Sequence, residues 1–251
     1  MLRFQNAEMR YEPYPLAIVR PAIDATLYNE LVDNFPDIGL FGKLHKHDYK
    51  NSLSEKFNPK EYHEFLQTNR PWGEFYKWVK SDQFITVILD FLKSKNIDLG
   101  VDACFSPLKE RIETNFKRIR QGYWPRPRPQ LRPRFEFSIL KADGGEVAPH
   151  TDAPKKIVTL VVTMVKEGEW DPSFGGGLDI NRTNDDAYKF NWQNRMVPWD
   201  KVEVVENVPF VPNQCMIFIK TFNSLHSVRR MTQTGSKALR RSLTIVIDKE
   251  G

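Results

Sequence analysis

From Arg134 to the C-terminus, apolar residues fall on every second position, a period that only β-strands with one buried face satisfy. Phe135, Phe137 and Ile139 alternate with Glu136, Ser138 and Leu140, and Leu243, Ile245 and Ile247 alternate with Ser242, Thr244 and Val246. Between them lie two apolar runs, IVTLVVTMV at 157–165 and CMIFI at 215–219, flanked by Gly, Pro and Asn clusters. Such runs read as strands buried on both faces. Several strands with turn signals and no helical pattern between them predict an antiparallel sandwich or barrel with helices outside it.

The first hundred residues follow a different period. Asp24 is the expected N-cap of a helix through Leu27, Leu31 and Val32 that Pro36 ends. Pro59 and Pro71 read as first-turn prolines of two more helices. Phe84, Val87, Ile88, Phe91 and Leu92 form the apolar stripe of a fourth. One continuous domain over 1–251 is therefore expected, with a mainly helical support region at 1–108, a connection at 109–134 and a β-rich core at 135–251.

Composition bounds the function. The chain of 251 residues has 37 Lys+Arg and 32 Asp+Glu, a net charge of +5. That excess is concentrated: 109–134 holds nine basic and two acidic residues, and 220–241 holds six basic and none acidic. The remainder is acidic, so the placement suggests a site that attracts anions rather than a general nucleic-acid surface. Cys104 and Cys215 form neither a CxxC pair nor a disulfide framework, which fits a reducing compartment. No apolar run spans a bilayer and no secretory signal stands at the N-terminus, so a cytoplasmic protein is expected, with no membrane partner. Its oligomeric state is left open.

The chemistry is carried by two segments. In GGEVAPHTD, at 144–152, extended backbone aims His150 and Asp152 to one side and Thr151 to the other. In NSLHSV, at 223–228, His226 follows the strand CMIFIK. Two histidines and one carboxylate on one face of an octahedral ion leave three adjacent positions open, which suits non-haem Fe(II) handling a cosubstrate and dioxygen. Fourteen residues after His226 comes RRSLTIVI: if Leu243, Ile245 and Ile247 pack on helices, Arg240 and Ser242 face the interior. A buried guanidinium calls for an anion, and it matches a carboxylate in a bidentate pair.

On these residues the chain resembles the Fe(II)/2-oxoglutarate-dependent oxygenases, and among them the prolyl-4-hydroxylase-like branch. The likeness runs over about 134–248: GGEVAPHTD, GGGL at 175–178, FVPNQCMIFIKTFNSLHSV at 210–228, and RRS at 240–242. The resemblance implies an α+β, mainly β fold, a double-stranded β-helix (jelly-roll) core with the N-terminal helical region packed on it. It implies His150, Asp152 and His226 as catalytic metal ligands. It also implies Arg240, assisted by Ser242, as the cosubstrate-binding pair, with Arg241 as the fallback that alternation disfavours. The activity implied is hydroxylation of a C–H substrate with Fe(II), 2-oxoglutarate and O2, releasing succinate and CO2, with ascorbate as a candidate accessory. Halogenating relatives lack the carboxylate that Asp152 supplies. Many relatives carry a Tyr where this chain has Lys141, which is taken either as a cosubstrate contact or as a solvent-facing strand end.

The prime substrate is not legible. Peptidyl proline, a free amino acid and a small acidic metabolite are all open, with Tyr123, Trp124, Arg132, Arg134 and the insert at 181–199 as candidate contacts. Two rival readings are an oxidative nucleic-acid demethylase, from the arginines interleaved with Tyr123 and Trp124, and a non-catalytic jelly-roll binding module. The cluster His45-Lys46-His47-Asp48 lacks a third separated ligand and reads as a surface loop or a substrate-side group.

Overall fold

The computed structural model describes residues 1–44, 47–101, 116, 119–122 and 130–250. The first part of the chain contains strands β1 (Ala7–Arg10) and β2 (Leu16–Val19), helix α1 (Ala25–Asp33), strands β3 (Gly42–Leu44) and β4 (His47–Ser54), and helices α2 (Pro59–Thr68), α3 (Arg70–Val79) and α4 (Asp82–Ser94). The helices start where the sequence says. The Asp24 side chain accepts from the Thr26 amide, Asn69 from Trp72 and Ser81 from Phe84, while Pro59 and Pro71 occupy first-turn positions that have no intrahelical acceptor to lose.

The core follows as β5 (Gln130–Lys141), β6 (Val147–His150), β7 (Lys156–Thr163), β8 (Leu178–Arg182), β9 (Glu203–Val208), β10 (Cys215–Ile219), β11 (His226–Val228) and β12 (Leu239–Glu250). These strands form two antiparallel sheets, one ordered β1-β2-β10-β7-β12-β5-β4-β3 and the other β6-β11-β8-β9. The chain passes between the sheets at nearly every step from β5 to β12, which is the winding of a double-stranded β-helix, or jelly roll. The expected fold class therefore holds. The region at 1–108 holds the four expected helices together with strands that its pattern did not show. It adds four strands to the edges of the large sheet, β1 and β2 beyond β10, and β4 and β3 beyond β5. LAIV, at β2, is buried at all four residues because it lies between β1 and β10, and a four-residue apolar run has no period by which a strand could be told from a loop.

The large sheet has two dissimilar faces. Phe135, Phe137, Leu160, Val162, Ile217, Leu243 and Ile245 face the helices and share one apolar cluster with Leu31, Tyr62, Trp72, Phe84 and Ile88. The ring of Trp72, fully buried, stands edge-on to Phe137 at 4.6 Å, and its Nε1 donates to Leu31 O at 3.0 Å. The other face turns toward the small sheet. There a second cluster, with Trp170, Phe210, Met216, Phe218 and Met231, closes one end of the sandwich and leaves a cavity at the other.

Candidate active site

Strand pleat decides which residues enter the space between the sheets. Glu136, Ser138 and Leu140 of β5 and Arg240, Ser242 and Thr244 of β12 point into it, and the neighbours of each point at the helices. The cavity has a volume of about 110 Å³, and His150, Asp152 and His226 also line it.

The two metal-ligand candidates from distant sequence meet through strand pairing. β11 lies between β6 and β8, with His226 directly opposite His150. One ligand atom from each of His150, Asp152 and His226 falls within 4.8 Å of the others. Each ring is oriented from behind: His150 Nδ1 lies 2.8 Å from Ala148 O and His226 Nδ1 lies 3.1 Å from Ser224 O, so each Nδ1–H donates to a carbonyl and each Nε2 keeps its lone pair. Phe218 stacks on the His226 ring at 4.7 Å. Burial, with the His226 ring close by, pushes His150 down to about 3, and burial also lowers His226. Both rings are therefore neutral at pH 7, the form a cation needs. Burial alone would raise the Asp152 carboxyl, but Lys156 and the two histidines hold it well below the usual carboxylate range. Lys156 Nζ donates to one oxygen at 2.8 Å and Thr159 Oγ1 to the other at 2.7 Å.

An anion site lies in the same cavity. The Arg240 guanidinium is buried, its Nε donates to Gly176 O at 2.6 Å, and it lies over the Phe210 ring at 4.5 Å. Among the described residues no carboxylate pairs with it, and burial pulls its pKa down to about 10. Gly176 permits the close approach: at φ +74°, a side chain there would stand 3.0 Å from Trp170 and 3.1 Å from Arg240. Opposite Ser242 in the β12–β5 register stands Ser138, whose hydroxyl is buried without a hydrogen-bond partner. A buried guanidinium without an anion and an orphan hydroxyl facing one cavity are the donors a carboxylate would satisfy.

The structure thus brings together His150, Asp152, His226, Arg240 and Ser242. It separates the remaining candidates. Arg241 points to the helix side, pairs with Glu169 and lies over Phe35. Lys141 is exposed at the end of β5 and shares the parity of Phe135 and Phe137, so it does not line the cavity; this corrects its reading as a cosubstrate contact. Arg134 is corrected likewise, because its guanidinium is held by buried Asp248 outside the cavity. Arg132 is exposed and has a partner of its own. Tyr123, Trp124, His45 and Lys46 lie outside the described residues. Lining residues that the sequence did not single out include Lys50, Glu136, Ser138, Lys156 and Thr159. Glu136 could have been found, since it shares the parity of Ser138 on β5. Lys50 could not, because nothing in the sequence joins β4 to β5.

The insert at 181–199 lies behind the ligand segment rather than over the cavity. Buried Thr151, facing away from the metal ligands, donates through Oγ1 to Asn191 O at 2.6 Å and accepts from Lys220 Nζ at 2.8 Å. Val197 N reaches Pro149 O at 2.8 Å, and Asn191 N reaches Phe222 O at 2.8 Å.

No family model and no curated protein matches the chain. Similar solved structures include a prolyl hydroxylase in complex with a hypoxia inducible factor peptide fragment, from Trichoplax adhaerens, at 12% identity over 93% of this chain and 83% of that one, TM-score 0.47. A Pseudomonas putida prolyl-4-hydroxylase is 12% identical over 94% and 93%, TM-score 0.48. OsALKBH1 is 12% identical over 97% and 100%, TM-score 0.44. Likeness at this level says nothing of chemistry, which rests on the residues themselves.

Proposed function

We propose that this chain is an Fe(II)- and 2-oxoglutarate-dependent oxygenase of the prolyl-4-hydroxylase-like branch. The observation that carries the reading is the meeting, in one cavity, of two neutral histidines and a carboxylate with a buried arginine that has no anion among the described residues. His150, Asp152 and His226 would hold the iron, two nitrogens and one oxygen from one side, leaving the cavity side to small ligands. When bound, Fe(II) with 2-oxoglutarate supplies the oxidising power by which dioxygen gives one oxygen atom to succinate, with loss of CO2, and the other to a substrate C–H bond.

The chain's share is positioning and exclusion. Arg240 takes the distal carboxylate of 2-oxoglutarate in a charge-assisted pair, and Ser242 and Ser138 donate hydroxyl hydrogen bonds to it. Leu140, Val161 and Leu178 form an apolar wall along the cavity that keeps water from the bound acid. The carbonyls of Ala148 and Ser224 keep both Nε2 atoms free, so the ligand set is formed before any ion arrives.

The test is anaerobic addition of Fe(II) and 2-oxoglutarate to the purified protein. A weak visible charge-transfer band is expected, absent in His150→Ala and His226→Ala, together with succinate release in air. No band from the wild-type protein, or unchanged iron affinity in both variants, would overturn the assignment.

A further inference from the structure

The walls of the cavity carry more charge than iron and 2-oxoglutarate account for. Lys50, Lys156 and Arg240 contribute three positive groups, and Glu136 and Asp152 two negative ones. On the oxygenase reading, a divalent ion adds two charges and 2-oxoglutarate removes two, so one positive charge remains unbalanced in a partly covered cleft, where the Lys50 and Lys156 side chains are 25% and 27% exposed. Buried charges are found paired.

The surplus can be assigned to a residue. Arg240 stands at the end that the cosubstrate carboxylate occupies. Lys50 Nζ is 3.2 Å from Glu136 Oε1, a closed pair, and Lys50 and Lys156 keep that carboxyl lowered although its burial opposes ionisation. Outside the wall, Arg134 is closed on Asp248. Lys156 differs: its bonded carboxylate is Asp152, at 2.8 Å, the group whose charge the ion draws on. The amine stands beside a candidate ligand oxygen and has the apolar methylene stem and compact charge that bind a single anionic group.

We infer that Lys156 anchors the prime substrate, and that this substrate is a small organic acid with one net negative charge, its carboxylate on Lys156 and its reacting C–H within a few bonds of that carboxylate. The inference rests on the oxygenase reading. A carboxylate fits better than a phosphate monoester, which brings about two negative charges where one is missing. A zwitterion leaves the surplus unbalanced. Lys220 stands behind the ligand segment, on Thr151 Oγ1 and outside the cavity wall, so it does not enter this count.

The experiment uses the full chain loaded anaerobically with Fe(II) and 2-oxoglutarate. It is titrated with monocarboxylates of two to six carbons, with N-acetyl amino acids, and with the corresponding amides, following the visible band and the heat of binding. At least one acid is expected to perturb the band and to bind at least tenfold more tightly than its amide. Lys156→Met, which also loses a hydrogen bond to Asp152, is expected to abolish that preference once Fe(II) is raised until the band forms, and Lys156→Arg to retain it. Equal binding of acid and amide, or a formed band that no acid perturbs, overturns the proposal. So does a Lys156→Met variant whose loss lies in 2-oxoglutarate affinity, since Lys156 would then serve the cosubstrate. The acid-against-amide comparison in the wild type decides without any variant, and a missing band in the wild type would count against the oxygenase reading instead.

Discussion

The side chains that matter most are those whose polar atoms are buried and incompletely met. Arg240 is such a group, with Nε fixed by Gly176 O, its face on Phe210 and the rest of its fork turned to the cavity. Removing one partner of a buried, hydrogen-bonded charge pair costs about 2–5 kcal/mol. Arg240→Met is therefore expected to weaken 2-oxoglutarate binding by at least ~30-fold while leaving iron binding within about twofold. Arg240→Lys should recover part of the affinity, because charge returns and the bidentate geometry does not. Calorimetric titration of 2-oxoglutarate into the iron-loaded proteins checks both outcomes. Arg134, a candidate substrate contact in the sequence, is instead a structural tie, its guanidinium held by buried Asp248 away from the cavity.

Among the elements, the large sheet and the helices hold each other, and the insert holds the ligand strand. Trp72 sits between α1, α3 and β5, filling the space against Phe137 and capping Leu31 O. Trp72→Ala opens a cavity of aromatic size and is expected to lower stability by about 3–5 kcal/mol, read as a shifted urea midpoint. The folded fraction should still give the charge-transfer band, because Trp72 lies on the far face of the sheet from the site. Thr151 is tied to two other segments, to the insert through Asn191 O and to the β10–β11 turn through Lys220. Thr151→Val keeps the shape and removes both bonds. It is expected to cost about 1–3 kcal/mol and to weaken iron about tenfold, as loss of groups supporting metal ligands does. Iron titration alongside urea melts separates the two effects.

For the molecule as a whole, burial fixes how stability depends on pH. Burial raises the Tyr14, Tyr28 and Tyr62 hydroxyls, which donate to the carbonyls of Leu225, of Thr163 and Val165, and of Phe135. In the folded state all three keep their protons above pH 10, where the unfolded chain releases its own. Their contribution is thus complete below about pH 10 and is lost as pH rises toward the folded values, each at up to about 1.4 kcal/mol per pH unit. Lys220 acts in the opposite sense: burial depresses it to about 8, so between pH 8 and 10.5 its contribution grows with pH. The net expectation is a stability that falls above about pH 10, where three tyrosines outweigh one lysine. Urea midpoints at pH 9 and 11 check this, and Tyr62→Phe should show the shallower loss. No helix of the described residues is long and apolar enough to cross a membrane.

How far the sequence reaches depends on whether a property is local. A period of two assigns each residue of β5 and β12 to a face, so Arg240 and Ser242 could be placed in the interior, and Arg241 on the other face, before any sheet was seen. Helix starts were equally local, since Asp24 caps only its own first turn and Pro59 and Pro71 mark only theirs. His150 ends β6 and Asp152 follows two residues later, so the two could be paired by spacing alone. What required the tertiary structure was everything set by which strands lie side by side. The register of β11 on β6 puts His226 opposite His150, the addition of β4 to β5 brings Lys50 to Glu136, and the Ser138 hydroxyl is orphaned only because two sheets close over it. Strand pairing is decided by burying whole faces at once, an energy shared over dozens of side chains, so it leaves no short pattern at the residues it brings together.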